Sequence, residues 1–472
     1  MRVARTTLLA LLPALACSAS SNAPAPSDGG LQAMTFPNKS IRDVDVLFVV
    51  DDAPGTAPAL ARLPGAFAAF FDALAATPAG TPSLHVALVS ADMGAGAVAI
   101  SGCLQGGDGG MFASTPRGAC ASLGLPRGGA RYFSVEGGAT NFDPSLSLAD
   151  ALACVAPQTD SGCRFPQPLA AALRALGADD LLVTPEDAGF LRNDAFLAIV
   201  VVTNQDDCSV PRDAVLFDPA SRYVADPLGP LTTFRCAEFG LSCGGAPPPR
   251  TRAGAVTGCQ SAEDGELLRV SDAVARLERL KIDPNMILVA AVSGPTDPFA
   301  VELDAPGLAE DPSPWPALSP SCASADGVMS ARPGVRLEQW VYAFGHNGTL
   351  ASTCDDLATS LRTVAASISD VLGPPCLPRA IAKKAGPHGA RPDCTIVDYG
   401  ISTAAGPGLE VPSCVDTAGD QPCWTLSDAA ACPGGQLLQF DVPAGVPSSH
   451  SIVTESAVSC VVCDDPDDLR CR

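Results

Sequence analysis

Residues 45 to 56 read DVLFVVDDAPGT, and few folds accept such a stretch. An unbroken apolar run from Val46 to Val50 meets two carboxylates, Asp51 and Asp52, and then a Pro54–Gly55 turn. Apolar, β-branched runs without two-residue alternation suit strands buried on both faces of a parallel sheet. Leu84–Ser90, Phe196–Thr203 and Met286–Ser293 have the same character. Helical patterns lie between and after them. Leu60, Leu63, Phe67, Phe70, Phe71 and Leu74 keep a three-to-four spacing, which Pro64 must shorten or kink. FPQPLAAALRALGA opens on prolines and closes at Gly177, and VSDAVARLERLKI and CDDLATSLRTVAASISDVLG follow. Strand and helix in alternation predict an α/β fold with a doubly wound, mostly parallel sheet.

The chain of 472 residues is too long for one compact core, so a second domain is expected. A net charge of −22 excludes a phosphate-neutralising surface, and with it nucleic acid as a partner. At the N-terminus, Arg2 and Arg5 precede a short apolar stretch, Leu8–Ala16, too short to span a bilayer. Ala14-Leu15-Ala16 fits a small-x-small cleavage rule and Cys17 follows it. Residues 1–17 therefore read as an export signal ending in a lipidation cysteine, with plain secretion as the alternative. The expected location is the cell envelope, as an outer-membrane-anchored lipoprotein. Setting Cys17 aside, ten cysteines fall between Cys103 and Cys354 and eight between Cys376 and Cys471. Two even sets suit closed disulfide frameworks in two domains of an oxidising compartment. Cys103–Cys120 and Cys154–Cys163 are expected as local pairs.

Four segments follow from these signals. Residues 18–37 are small, polar and proline-bearing and read as a flexible tether. Residues 38–373 hold the α/β domain. Within it, about 208–262 carry four cysteines and seven prolines and read as a stapled insertion over the sheet's C-terminal edge. Residues 374–472, with crowded cysteines and few long apolar runs, predict a smaller disulfide-rich domain of strands and loops.

In an open α/β sheet the functional crevice lies outside the carboxyl ends of the strands. Asp51 and Asp52 end the first strand there, and TNQDDC, Thr203 to Cys208, ends a later one. Oxygen-rich tips of this kind could share magnesium or calcium. At these residues the chain resembles the von Willebrand factor type A domains over about residues 42–373, in particular exported bacterial forms with a cysteine-rich insertion. In that family an Asp-x-Ser-x-Ser motif, a later Thr and a later Asp build a metal-ion-dependent adhesion site. Carried over, Asp51 matches the leading Asp, but Ala53 and Gly55 stand where the two Ser belong. Thr159 or Ser161 matches the Thr, and Asn204 replaces the later Asp. Asp206 and Asp207 are the remaining candidate ligands, so the resemblance implies a degenerate site. Asp52, Ala53, Gly55 and Thr56 would then form a ligand-binding edge, with no cofactor expected beyond magnesium or calcium.

Other chemistry finds little support. A haloacid-dehalogenase-like phosphatase needs Asp-x-Asp, and position 53 is Ala. A dinucleotide site needs Gly-x-Gly-x-x-Gly after the first strand, where only Gly55 is present. His85, His346, His388 and His450 show no ligand or catalytic spacing. Cys460 and Cys463 form a Cys-x-x-Cys best read as structural, and HNGT at His346–Thr349 reads as a turn. The expectation is a non-enzymatic envelope protein that binds an extracellular or envelope protein through this edge. A metal-dependent hydrolase using Asp51, Asp206 and Asp207 is the rival, and a purely structural protein the third reading.

Overall fold

The computed structural model describes residues 31–37, 43–76, 81–123, 126–372, 379–386, 388–398, 409–417, 421–428, 435–441 and 456–463. Cys17, the export signal and residues 18–30 of the expected tether lie outside them.

Seven strands form the main sheet: β1 (Val44–Val50), β2 (Leu84–Ser90), β3 (Phe133–Glu136), β4 (Ala139–Thr140), β5 (Phe196–Val202), β6 (Ile287–Ser293) and β7 (Gly348–Ser352). Their order is β7-β6-β5-β1-β2-β3-β4. The pairs from β7 to β2 are parallel, and β3 and β4 add an antiparallel edge. Register places Val50 of β1 opposite Ser90 and Val202, so these strands end level with one another.

The missing alternation in β1 has its cause in two cores. Val44, Val46, Phe48 and Val50 point to one core, while Leu47 and Val49 point to the other. Helices α1 (Leu63–Ala75), α2 (Leu148–Val155) and α7 (Leu357–Leu372) cover the first. Helices α3 (Pro168–Ala175), α5 (Val270–Glu278) and α6 (Val335–Ala343) cover the second. Side chains two apart share a face, so a strand covered twice needs apolar residues throughout. Pro64 sits in the first turn of α1, after a short helical turn at Ala57–Leu60, where its missing N–H costs nothing. Below the sheet, Arg192 holds the fully buried Asp45 through its Nε and its backbone N–H, both at 2.7 Å.

All ten cysteines between Cys103 and Cys354 pair among themselves, as their even number predicts. Two of these bonds, Cys208–Cys236 and Cys243–Cys259, close inside the insertion. The local pairs Cys103–Cys120 and Cys154–Cys163 do not form. The loop after β2 returns to the strand ends, where Cys103 joins Cys163, while Cys120 packs at the end of α2 and joins Cys154. The Arg117 N–H donates to the Cys154 carbonyl beside that second bond. Closure across the fold thus prevails over nearness in sequence. Such bonds belong to an oxidising, extracytoplasmic compartment. Among the described residues no helix is long and apolar enough to cross a membrane.

The insertion contains helix α4 (Phe234–Gly240), whose Arg235 is 1% exposed. Its guanidinium donates to the carbonyls of Leu216, Asp218, Ser221, Gly229 and Pro230 at 2.7–3.1 Å. One side chain thereby gathers a loop that has little regular structure. Phe217 stacks on Phe165 at 4.3 Å, which seats the insertion on the loop leading into α3.

Beyond α7 the chain is β-rich, in small antiparallel sheets. Strands 394–398, 409–411 and 456–463 share one sheet, and 423–428 pairs with 436–441. Cys394–Cys460 and Cys414–Cys423 staple this part around the buried Trp424. The tether reading fails for its last seven residues: Leu31–Pro37 is a strand, paired antiparallel with Ser456–Cys463 from Leu31↔Cys463 to Pro37↔Ala457. Its apolar members Leu31, Met34 and Phe36 give it a β-forming content that the neighbouring polar residues masked.

Candidate functional site

The site forms where β1, β2 and β5 end together. Asp51 follows β1 and is 3% exposed. One of its carboxylate oxygens accepts the Ala53 N–H at 2.8 Å, and the other accepts the Thr203 hydroxyl at 2.6 Å. Thr56 donates its hydroxyl to the Ala53 carbonyl at 2.8 Å, which closes the turn. Burial pushes Asp51 up to about 6, against the pull of those two donors.

Asp52 faces a different neighbourhood. It is 8% exposed, and its carboxylate is pushed up to about 7, first by burial and then by Asp51, Asp108 and Asp92. Asp92 accepts the N–H groups of Gly94 and Cys163 at 2.8 and 3.0 Å. Asp108 accepts the Ser90 hydroxyl at 2.7 Å. Gly162 presses on Asp52: a Cβ there would lie 2.3 Å from its Oδ1, so only glycine fits.

Thr159 and Ser161 lie on the exposed loop before α3, with their hydroxyls 3.0 Å apart. The residue between them, Asp160, makes the cross-link, accepting the Gly55 N–H at 2.9 Å. Asn204 donates its amide to the carbonyls of Gly55 and Ser330 at 3.3 and 3.4 Å, and its Oδ1 is buried without a partner. The structure thus brings Asp51, Asp52, Gly55, Thr56, Thr159, Ser161 and Asn204 to one edge.

Asp206 and Asp207, expected to share that edge as ligands, are committed elsewhere. Asp206 accepts the Arg336 and Leu337 N–H groups at 3.0 and 3.2 Å, capping the start of α6. Asp207 is fully buried against Arg336, with Nη2 at 3.0 Å and Nε at 3.2 Å, and it also accepts from Leu169 N and Ser209 Oγ. Helix α6, which lies outside the four helical patterns of the sequence, carries the cation that claims Asp207.

A hard divalent cation does not fit the donors present. It needs several oxygens converging on one point, whereas each Asp51 oxygen already accepts a hydrogen bond, the Thr203 hydroxyl is spent on Asp51, and the unpartnered oxygen at this edge is the neutral amide Oδ1 of Asn204. Positions 53 and 55 carry no hydroxyl, and Gly55 has φ +99°, a conformation a serine adopts only under strain. Among the described residues, no three His, Cys, Asp or Glu side chains gather as a metal site.

Thr203, Asp160, Asp92 and Gly162 are site residues that sequence reading passed over. Thr203 and Asp160 lay inside stretches already singled out, but nothing local distinguishes a hydroxyl or carboxylate that bonds across the fold. His85 has a structural place, with its ring nitrogens 2.9 Å from the Phe190 carbonyl and 2.7 Å from Glu136. Asn347 is buried and donates to the Asn285 carbonyl, at the end of a short 3-10 turn.

Fold and edge together define the class: an α/β protein built on a seven-stranded, mostly parallel, doubly wound sheet, with small disulfide-rich antiparallel sheets. No family profile matches the chain, and no curated protein matches it. Among solved structures it is similar to a von Willebrand factor type A protein from Catenulispora acidiphila, at 10% identity and a TM-score of 0.30, over 92% of this chain and 61% of the other. It is also similar to the open conformation of the pilus adhesin SpaC from Lactobacillus rhamnosus GG, at 10% identity and a TM-score of 0.28, over 93% and 42%. The chain spans less than two thirds of either structure, and likeness at this level assigns no residue and no activity.

Proposed function

We propose that this is a non-enzymatic, extracytoplasmic binding protein that docks a partner protein on the C-terminal edge of its sheet without a bridging metal. The observation that carries the reading is the mutual bonding of the edge loops. Asp51 is bound to Thr203, Asp160 to the Gly55 N–H, and Asn204 to Gly55 and Ser330. Groups that a hydrolase would need free are used to hold loops still. Asp206 and Asp207 bond to α6, whereas Asp51 bonds to Thr203, which supports the binding reading over the hydrolase one. A preorganised surface loses little entropy on binding.

The exposed face of that edge comprises Pro54, Gly55, Thr159, Ser161 and the hairpin 322–331, whose Val328 is 57% exposed. Arg62 ties the hairpin down through Asp326 at 2.8 Å. The resemblance to adhesion domains agrees with this use of the edge, and a lipid at Cys17 would hold the protein on its membrane.

The test is binding of the full chain to arrayed extracellular and cell-surface proteins, with and without EDTA, beside Thr159→Arg and Val328→Asp. A saturable signal that survives EDTA and falls at least about tenfold in the variants is the expected outcome. A signal abolished by EDTA, or untouched by both substitutions, overturns the reading.

A further inference from the structure

An open cavity of about 300 Å³ lies at the ends of β6 and β7, lined among others by Ser293, Thr296, Asp297, Gly334, Glu338 and Ser352. Its lining holds two carboxylates, three hydroxyls and no cationic side chain. The volume is at the small end of the range for ligand sites.

Its floor is fixed. Gly294 bridges to Pro333, and a Cβ on Gly294 would meet the Arg332 carbonyl at 2.1 Å. A Cβ on Gly334 would lie 2.7 Å from Ser293 Oγ, so only glycine leaves that hydroxyl clear. Ser293 is 4% exposed, and its hydroxyl has no hydrogen-bond partner among the described residues. On the wall, the Thr296 hydroxyl donates to Glu338 at 3.3 Å and orients that carboxylate. Ser352 Oγ accepts the Cys354 N–H at 3.1 Å and donates its hydroxyl to Cys322 Sγ at 3.9 Å, which fixes its position on the wall. Cys354 is bonded to Cys322, so this wall is also covalently held.

We propose that this cavity binds a primary alkylammonium group, the chemistry shared by a lysine side chain and a small diamine. An ammonium offers three donors and no acceptor. Those donors match the Glu338 and Asp297 carboxylates and a serine oxygen, and charge-assisted contacts of this kind are the stronger hydrogen bonds. A hydrocarbon stem would lie along Leu350 and Ala351. The site is independent of the docking edge and does not rest on it.

Isothermal titration of the full chain with 1,5-diaminopentane, Nα-acetyl-lysine methylamide and the Nε-acetylated form of the latter tests this. Saturable binding of the two amines, and none of the neutral analogue, is expected. Glu338→Gln and Asp297→Asn should each weaken it about tenfold, while Asp72→Asn on the remote exposed face of α1 leaves it unchanged. Tighter binding of the capped lysine would identify a protein side chain as the source, and tighter binding of the diamine a free amine. Equal binding of the acetylated analogue, no saturation, or equal weakening by Asp72→Asn overturns the proposal.

Discussion

At the scale of single residues, the edge is governed by how each carboxylate is solvated. Asp51 has two donors, whereas Asp52 accepts its own backbone N–H and lies beside Asp51, Asp92 and Asp108. Asp52 titrates near 7 when folded, against about 3.8 for an ordinary Asp. The folded state therefore holds the proton more tightly than the unfolded chain. That stabilisation is complete below about pH 4 and disappears as pH rises through 7. The chain should melt at a higher temperature near pH 5 than near pH 8. Asp52→Asn should reduce the difference, leaving the share that Asp51 and Asp206, pushed up to about 6 and about 7, contribute, and should raise stability at pH 8 by an amount on the order of 3 kcal/mol. Calorimetric scans of both proteins at the two pH values decide it, and identical slopes would refute the assignment. Asp51 and Asp52 were visible in the sequence as a pair of acids ending a strand. Their division into an acid held by Thr203 and an acid crowded by Asp92 was not, because Thr203 and Asp92 belong to other strand ends.

Between residues and molecule, the insertion and α6 show how one cation can organise an element. Arg336 in α6 takes Asp207, and Arg235 in α4 gathers five carbonyls of a loop. Arg235→Ala would leave those acceptors buried and lower stability by about 3 kcal/mol. Lysine would not rescue it, having three donors and no planar fork. Chemical denaturation, with protease mapping of residues 211–230, measures both effects; wild-type protection of that loop in Arg235→Ala would count against the role given to this side chain. The insertion's existence was legible from its cysteines and prolines, and both its disulfides close inside it. Its organising arginine carried no local mark, since an exposed and a buried arginine look alike in sequence.

For the whole molecule, the strand Leu31–Pro37 makes the β-rich module depend on both ends of the chain. The α/β domain is in effect carried between two strands of that module's sheet. A chain beginning at residue 43 should keep the α/β domain and its five disulfides but leave strand 456–463 with an open edge. Its residues 380–463 should then be cleaved faster in limited proteolysis followed by mass spectrometry. Equal protection in the long and short chains would show that the strand contributes nothing.

What this sequence determined by itself is what short windows encode. Seven-residue apolar runs between helical patterns specified a doubly wound sheet, because a strand covered on both faces must be apolar at every position. The even set of cysteines from Cys103 to Cys354 specified a closed framework, because an exported domain rarely leaves thiols unpaired; Cys376, Cys432 and Cys471 of the second set lie outside the described residues. Tertiary structure alone decided partners. It paired Cys103 with Cys163 and Cys120 with Cys154, turned Asp206 and Asp207 toward α6, and drew Leu31–Pro37 against a strand at Ser456–Cys463, near the other end of the sequence. Each of these choices compares contacts between segments far apart in the chain, and such contacts exist only once the strands have set where their ends lie.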